Sequence, residues 1–131
     1  MCIRRQALAP ALEVAEMSES GDGYDTYGYL HYVMRNYQEA ADAFQMAIDK
    51  GNLSNRADTL LFLARALIEL DDFEGAKDAA TQSADAGGES ERRSATDYIT
   101  FIESTESRFN IIAERRQDAI DFYEPYPSLI D

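Results

Sequence analysis

One cysteine, one histidine, three prolines and no tryptophan occur in 131 residues. A lone thiol, Cys2, cannot close an internal disulfide, and neither a C-x-x-C zinc site nor a dithiol redox site can be built from it. No apolar run approaches the ~18 residues that would cross a bilayer, so direct membrane insertion is not expected. Behind Met1-Cys2-Ile3-Arg4-Arg5 there is no apolar core of the kind an export signal uses, and none is expected in this stretch. Bases are scarce as well: 12 Lys and Arg face 25 Asp and Glu, a formal net charge of −13. A field of that sign repels a phosphate backbone and excludes nucleic acid as a natural partner. Residues 67–131 hold six bases against sixteen acids, and residues 1–66 hold six against nine, so a basic partner suits the second half best.

What the chain does have is enough apolar content for a core, 45%, in a length that fits a single domain over residues 1–131. It also repeats. An offset of 36 residues lays Tyr37-Gln38-Glu39-Ala40 over Phe73-Glu74-Gly75-Ala76 and Gly28 over Ala64. Tyr24, Tyr27 and His31, and likewise Leu60, Leu63 and Leu67, recur at i, i+3 and i+7, so each set predicts one apolar stripe along a helix. Gly28 and Ala40, like Ala64 and Ala76, are small residues expected to face one another where two antiparallel helices cross closely. Arg35-Asn36 and Asp71-Asp72 fall at the turns. Asp22 or Asp25, and Ser54 or Asn55, are the expected N-caps, with Gly51-Asn52 and Ala86-Gly87-Gly88 as C-terminal stops.

The resulting plan has a lone second helix over 6–17, disturbed at its first turn by Pro10. Hairpins follow over 22–50 and 55–86, then a helical cap over 90–122 drawn as one helix with a break near Ser104 as the alternative. An extended tail over 123–131 includes Tyr123-Glu124-Pro125-Tyr126-Pro127 and could lie in its own groove or a neighbour's.

These residues resemble the tetratricopeptide repeat, a helical hairpin of about 34 residues with the pattern W-x2-L-G-x2-Y, A-x3-F and a later proline. The first copy, Tyr24-x2-Tyr27-Gly28-x2-His31 followed by Ala40-x3-Phe44-x2-Ala47, follows it well. The second has Ala64 for the glycine and Ala80 for the aromatic, and neither copy has the proline. The resemblance implies an all-α fold, a right-handed superhelical stack of antiparallel helical hairpins with a long C-terminal helix and an extended tail. A narrower similarity rests on Ala15-x-Met17-Ser18-x-x-Gly21, Lys50-Gly51-Asn52-Leu53 and Arg93-Ser94-Ala95-x-x-Tyr98-Ile99-x-Phe101-Ile102. Over residues 7–103 these look like the C-terminal part of tetratricopeptide proteins of bacterial TonB energy-transduction systems. That likeness implies a periplasmic parent with repeats upstream and an accessory role in an envelope transport complex.

Chemistry finds little footing. His31 lies on an apolar stripe and lacks the H-x3-H or H-x-x-E spacing of a metal site, so a packed structural histidine is expected. Asp71-Asp72 and Asp118 with Asp121 read as solvated turn and helix faces, because catalytic carboxylates need a cleft that raises one pKa. Leu70-Asp71-Asp72-Phe73-Glu74-Gly75 lacks the residue order of a calcium loop, and Gly21-Asp22-Gly23 and Gly87-Gly88 lack the lysine of a phosphate cradle. No enzyme activity, cofactor or metal is expected. A stack of hairpins instead presents a wall lined by the first helix of each pair, suited to segments of other proteins. The candidate groove residues there are Asp22, Asp25, Tyr29 and Tyr32 in the first copy, and Asp58, Leu61, Phe62, Arg65 and Ile68 in the second. Aromatic and aliphatic anchors with acid at one end suit an apolar or basic peptide. The Lys, Asn and Arg clamp with which related domains hold a C-terminal carboxylate is absent from these positions. The second expectation is structural: a cap of a longer array, or a homo-oligomer formed through an exposed half-repeat over 2–17.

Overall fold

Six helices and their short connections make up residues 2–123, which the computed structural model describes, with side chains from Arg5 onward. They are α1 (Cys2–Met17), α2 (Asp22–Val33), α3 (Tyr37–Lys50), α4 (Arg56–Glu69), α5 (Phe73–Ala86) and α6 (Glu89–Tyr123). No strand occurs among the described residues.

The helix ends follow from local chemistry. Asn55 accepts from the Asp58 amide at 3.1 Å and Asp72 from the Gly75 amide at 3.0 Å, satisfying donors that α4 and α5 leave open. Gly51 ends α3 at φ 77°, a backbone that side chains resist. The start of α2 differs from expectation. Gly21 holds the N-cap without a side-chain bond, and both Asp22 and Asp25 lie in the first helical turn, where the macrodipole favours them.

Both turns within hairpins close on the same hydrogen bonds. The Asn36 amide donates to the His31 carbonyl at 2.9 Å and the Arg35 amide to Tyr32 at 3.0 Å. Thirty-six residues on, Asp72 donates to Leu67 and Asp71 to Ile68, each at 3.0 Å. Arg35 and Asp71 sit at φ 63° and 60°, the left-handed conformation this helix ending demands, at a cost of about 1–2 kcal/mol each. The repeat read from side chains is therefore present in the backbone.

Two expectations need correction. The first helix begins at Cys2, so Pro10 stands inside it rather than at its first turn. Proline has no amide proton for the Gln6 carbonyl, but both residues are exposed, so water can serve that carbonyl. The second concerns Gly28. The atoms nearest to a side chain built there belong to the Phe44 ring, at 2.9 Å. Phe44 lies one turn beyond Ala40 and fills the volume the glycine leaves. Ala40, Ala64 and Ala76 are buried without accessible surface.

Each helix packs on the next, antiparallel. Gly23 lies beside Ala15, Phe44 stacks on Phe62, and Ser83 donates to the Ala57 carbonyl at 2.7 Å. Lys77 meets Glu106 at 2.7 Å, and Phe73 meets Phe109 with ring centroids 5.3 Å apart. The core is built mainly of alanine, including Ala40, Ala41, Ala64, Ala76 and Ala80, around Phe44, Leu63, Phe73 and Ile102. Small side chains bring the helix axes close, and the few large ones fill what remains.

The last helix is continuous, extending one residue beyond each end of the expected 90–122. Its polar stretch near Ser104 does not break it: the backbone stays helical there, with Thr105 donating to the Phe101 carbonyl at 2.9 Å and Arg108 to the Ser104 hydroxyl at 3.0 Å, so these side chains are satisfied on the helix itself. Tyr123 closes α6. The rest of the expected tail, 124–131, lies outside the described residues, and its docking with it.

Replacing Gly28 by valine tests this packing. The Phe44 ring is fully buried and stacked, so it cannot retreat, and overpacking of this kind costs roughly 1–3 kcal/mol. The urea midpoint should fall by the corresponding amount with an unchanged slope. An unchanged midpoint would show that the ring does not depend on the space above Gly28.

Candidate interaction surface

The side chains that leave α2, α4 and α6 on one side form a strip of rings. Tyr29 meets Phe62 edge-on at 5.7 Å and Tyr32 meets it at 6.0 Å. Phe62 and Tyr98 flank the Arg65 guanidinium at 5.1 and 5.8 Å. Tyr98 then stacks on Phe101 at 5.4 Å. Edge-on and offset contacts are the geometry that ring quadrupoles favour, and a guanidinium between two ring faces is held by the same charge distribution. Tyr29 and Phe101, at the two ends, are 48% and 49% exposed.

The candidate residues separate into two groups. Tyr29, Tyr32, Phe62 and Arg65 come together in the strip. Leu61 is buried, and Ile68, half-buried like Tyr32 and Phe62, packs with them against the core cluster without a ring contact to the strip. The three acids are engaged locally. Asp22 accepts from the Ser54 amide at 2.9 Å and the Ser54 hydroxyl at 2.6 Å, fastening the connection before α4. Asp58 accepts from the Asn55 side chain at 2.9 Å. Asp25 accepts from the Thr59 hydroxyl at 2.9 Å, across from α2 to α4.

Those bonds set the acids' protonation. The Ser54 hydroxyl and amide hold Asp22 below the usual carboxylate range. Burial pushes Asp25 upward, with Asp22 and Asp58 adding like charge and the Thr59 hydroxyl opposing. In the strip, burial raises Tyr32 and pushes Tyr98 up to about 12. Both phenols therefore remain protonated donors at neutral pH.

Tyr98 and Phe101 were not among the candidates. A signal for them exists: the 36-residue offset carried once more puts Phe101 in register with Tyr29 and Arg65, and Tyr98 with Phe62. Only the structure brings α6 beside α4 to complete the strip.

His31 lies elsewhere, 7% exposed, against the edge of Tyr27 at 4.7 Å. The Asn36 side-chain amide pairs with Nδ1 at 3.2 Å, and Nε2 is buried without a hydrogen-bond partner. No cluster of His, Cys, Asp or Glu among the described residues is placed to hold a metal ion. Neither a protein-family model nor a curated protein matches the chain.

Burial lowers the His31 pKa, with Glu39 opposing. Between the unfolded value, about 6.5, and the lower folded one, the unfolded chain takes up the proton first. The stability from neutral His31 is present above that window and is lost as pH falls through it. Urea titrations from neutral to mildly acid pH should show wild type losing stability relative to His31→Gln. Parallel profiles would mean that His31 titrates alike in both states.

Proposed function

We propose that the chain is a non-catalytic protein-interaction module of tetratricopeptide type, and that the α2, α4 and α6 face takes an extended apolar or basic segment of another protein. The observation that carries this reading is the strip from Tyr29 to Phe101, continuous over three helices and exposed at both ends. Aromatic residues with partly desolvated surfaces supply most of the energy at protein interfaces. The hydrogen bonds shared by the two turns, and the small residues at the helix crossings, support a right-handed superhelical stack with this strip on its concave side.

Charge favours the partner's chemistry. Asp58 is exposed and lies one turn before Phe62 on α4, near one end of the strip. Glu69 acts on Tyr32 and Tyr98. Arg65, the cation of the strip, is already held by two rings. A segment with an apolar centre and a basic flank meets all of these. An accessory place in a TonB-type envelope complex is the setting the motif similarity supports, and a gene for TonB or its motor partners beside this one would strengthen it.

The second reading, a structural cap on a longer array, is favoured by the start of α6. Ser90, Arg93, Ser94 and Asp97 line a shallow polar depression there. An outward face of this composition suits water better than another repeat.

A library of extended peptides displayed against the chain tests the first reading. Binders should be apolar with basic flanks. Tyr29→Ala and Phe101→Ala should each weaken them about tenfold, on the order of 1–2 kcal/mol, while Phe122→Ala at the far end of α6 should leave them unchanged. Binders indifferent to both strip substitutions would remove this face from consideration.

A further inference from the structure

Every residue of α6 from 107 to 123 is exposed, yet this stretch is not uniformly polar. Phe109, Ile112, Ala119, Ile120 and Tyr123 share one side of the helix, and the alternating steps of three and four between 109, 112, 116, 119 and 123 are those of a helix-pairing seam. Arg116 stands in the middle of that side, and Glu114, Asp118 and Asp121 lie away from it. The seam continues the line of Ala95 and Ile102, which are buried. Contacts with α5 have reached its first residue, Phe73, where it meets Phe109. Beyond that point the seam runs on for about 21 Å with no neighbour among the described residues.

At the other end of the molecule, a cleft of about 230 Å³ opens beside α1 and α3. Leu12, Ala43 and Met46 give it apolar walls, and Glu16, Glu39 and Asp42 are carboxylates on its lining. None of these three acids has an ion pair among the described residues. The nearby Lys50 ammonium is held on the Ala15 carbonyl at 2.9 Å. An apolar trough with unmatched negative charge thus faces one way, and an apolar helix side with an arginine at its centre faces the other.

We propose that the end of α6 from a second copy of this chain seats in the α1/α3 cleft, with Ile112 and Ile120 against the apolar walls and Arg116 among the carboxylates. The charges are of opposite sign, and α3 is about as long as the exposed seam, ~21 Å. Within one chain the two surfaces cannot meet, because α1 packs on α2 and α6 packs on α5 and α4, with the intervening helices between. The contact joins unlike patches, so it closes as a reciprocal pair or propagates head to tail. It uses none of the residues of the aromatic strip and stands independently of the function proposed above.

Sedimentation equilibrium of the full chain over a wide concentration range, at about 0.15 M salt so that the repulsion between two copies of net charge −13 is screened, tests the proposal. The average mass should rise above that of a monomer with concentration and fall back at about 1 M salt, where the contact charges are screened as well. Arg116→Glu and Glu39→Arg are exposed substitutions that leave helix content intact by circular dichroism. Each should weaken association about tenfold, and both together in one chain should restore it. A monomer at every concentration overturns the proposal. So does association that survives either single reversal, or a double variant that stays as weak as the singles.

Discussion

One stacked pair of rings joins the core to the surface. Phe44 has no accessible area, lies in the space that Gly28 leaves, and stacks on Phe62 at 5.8 Å with planes 22° apart. Phe62 in turn bears Tyr29, Tyr32 and Arg65. Burying a phenylalanine is worth about 1.5–3 kcal/mol and a well-placed ring pair about 0.5–1.5 more. The same few contacts hold α2, α3 and α4 together and set the spacing of the exposed rings. Surface and interior are thus one construction, and the strip is preorganised by the pair beneath it.

Charge is distributed on a different principle. Against the formal −13, the described residues contain two ion pairs, one between neighbouring turns of α6 and one, Lys77 to Glu106, across helices. Glu106 raises the Lys77 pKa through that contact. Several of the remaining acids serve as acceptors for the chain itself. Asp22 and Asp25 tie the first hairpin to Ser54 and Thr59 of the second, a use in which a short side chain and a strong acceptor matter more than attraction to a distant partner.

Much of the architecture was legible in the residues. The stripes of the two hairpins, the cap at Asn55, the stop at Gly51 and the unbroken last helix all follow from side-chain size and local hydrogen bonding, which act within a turn or two. What was not legible required knowledge of neighbours. Gly28 signals close approach but not whether Ala40 or Phe44 makes it, since both lie on the same side of α3. Asp22 and Asp25 have the composition of a partner-facing rim, and only the fold reveals that Ser54 and Thr59 stand opposite. The start of α1 was obscured by Pro10, a strong local signal outweighed by the helical pattern on either side. Tyr98 and Phe101 belonged to the repeat pattern but to a third, unpaired helix, where fewer matching positions support the register.

The order of packing has a kinetic meaning. Because each helix rests on its immediate successor, nearly all contacts close short loops, and ordering can spread from one hairpin to the next like a zipper rather than waiting for distant segments to meet. Loosening travels by the same route: α1 can peel away while α5 and α6 stay docked, so the chain loses its structure as a moving front from its ends.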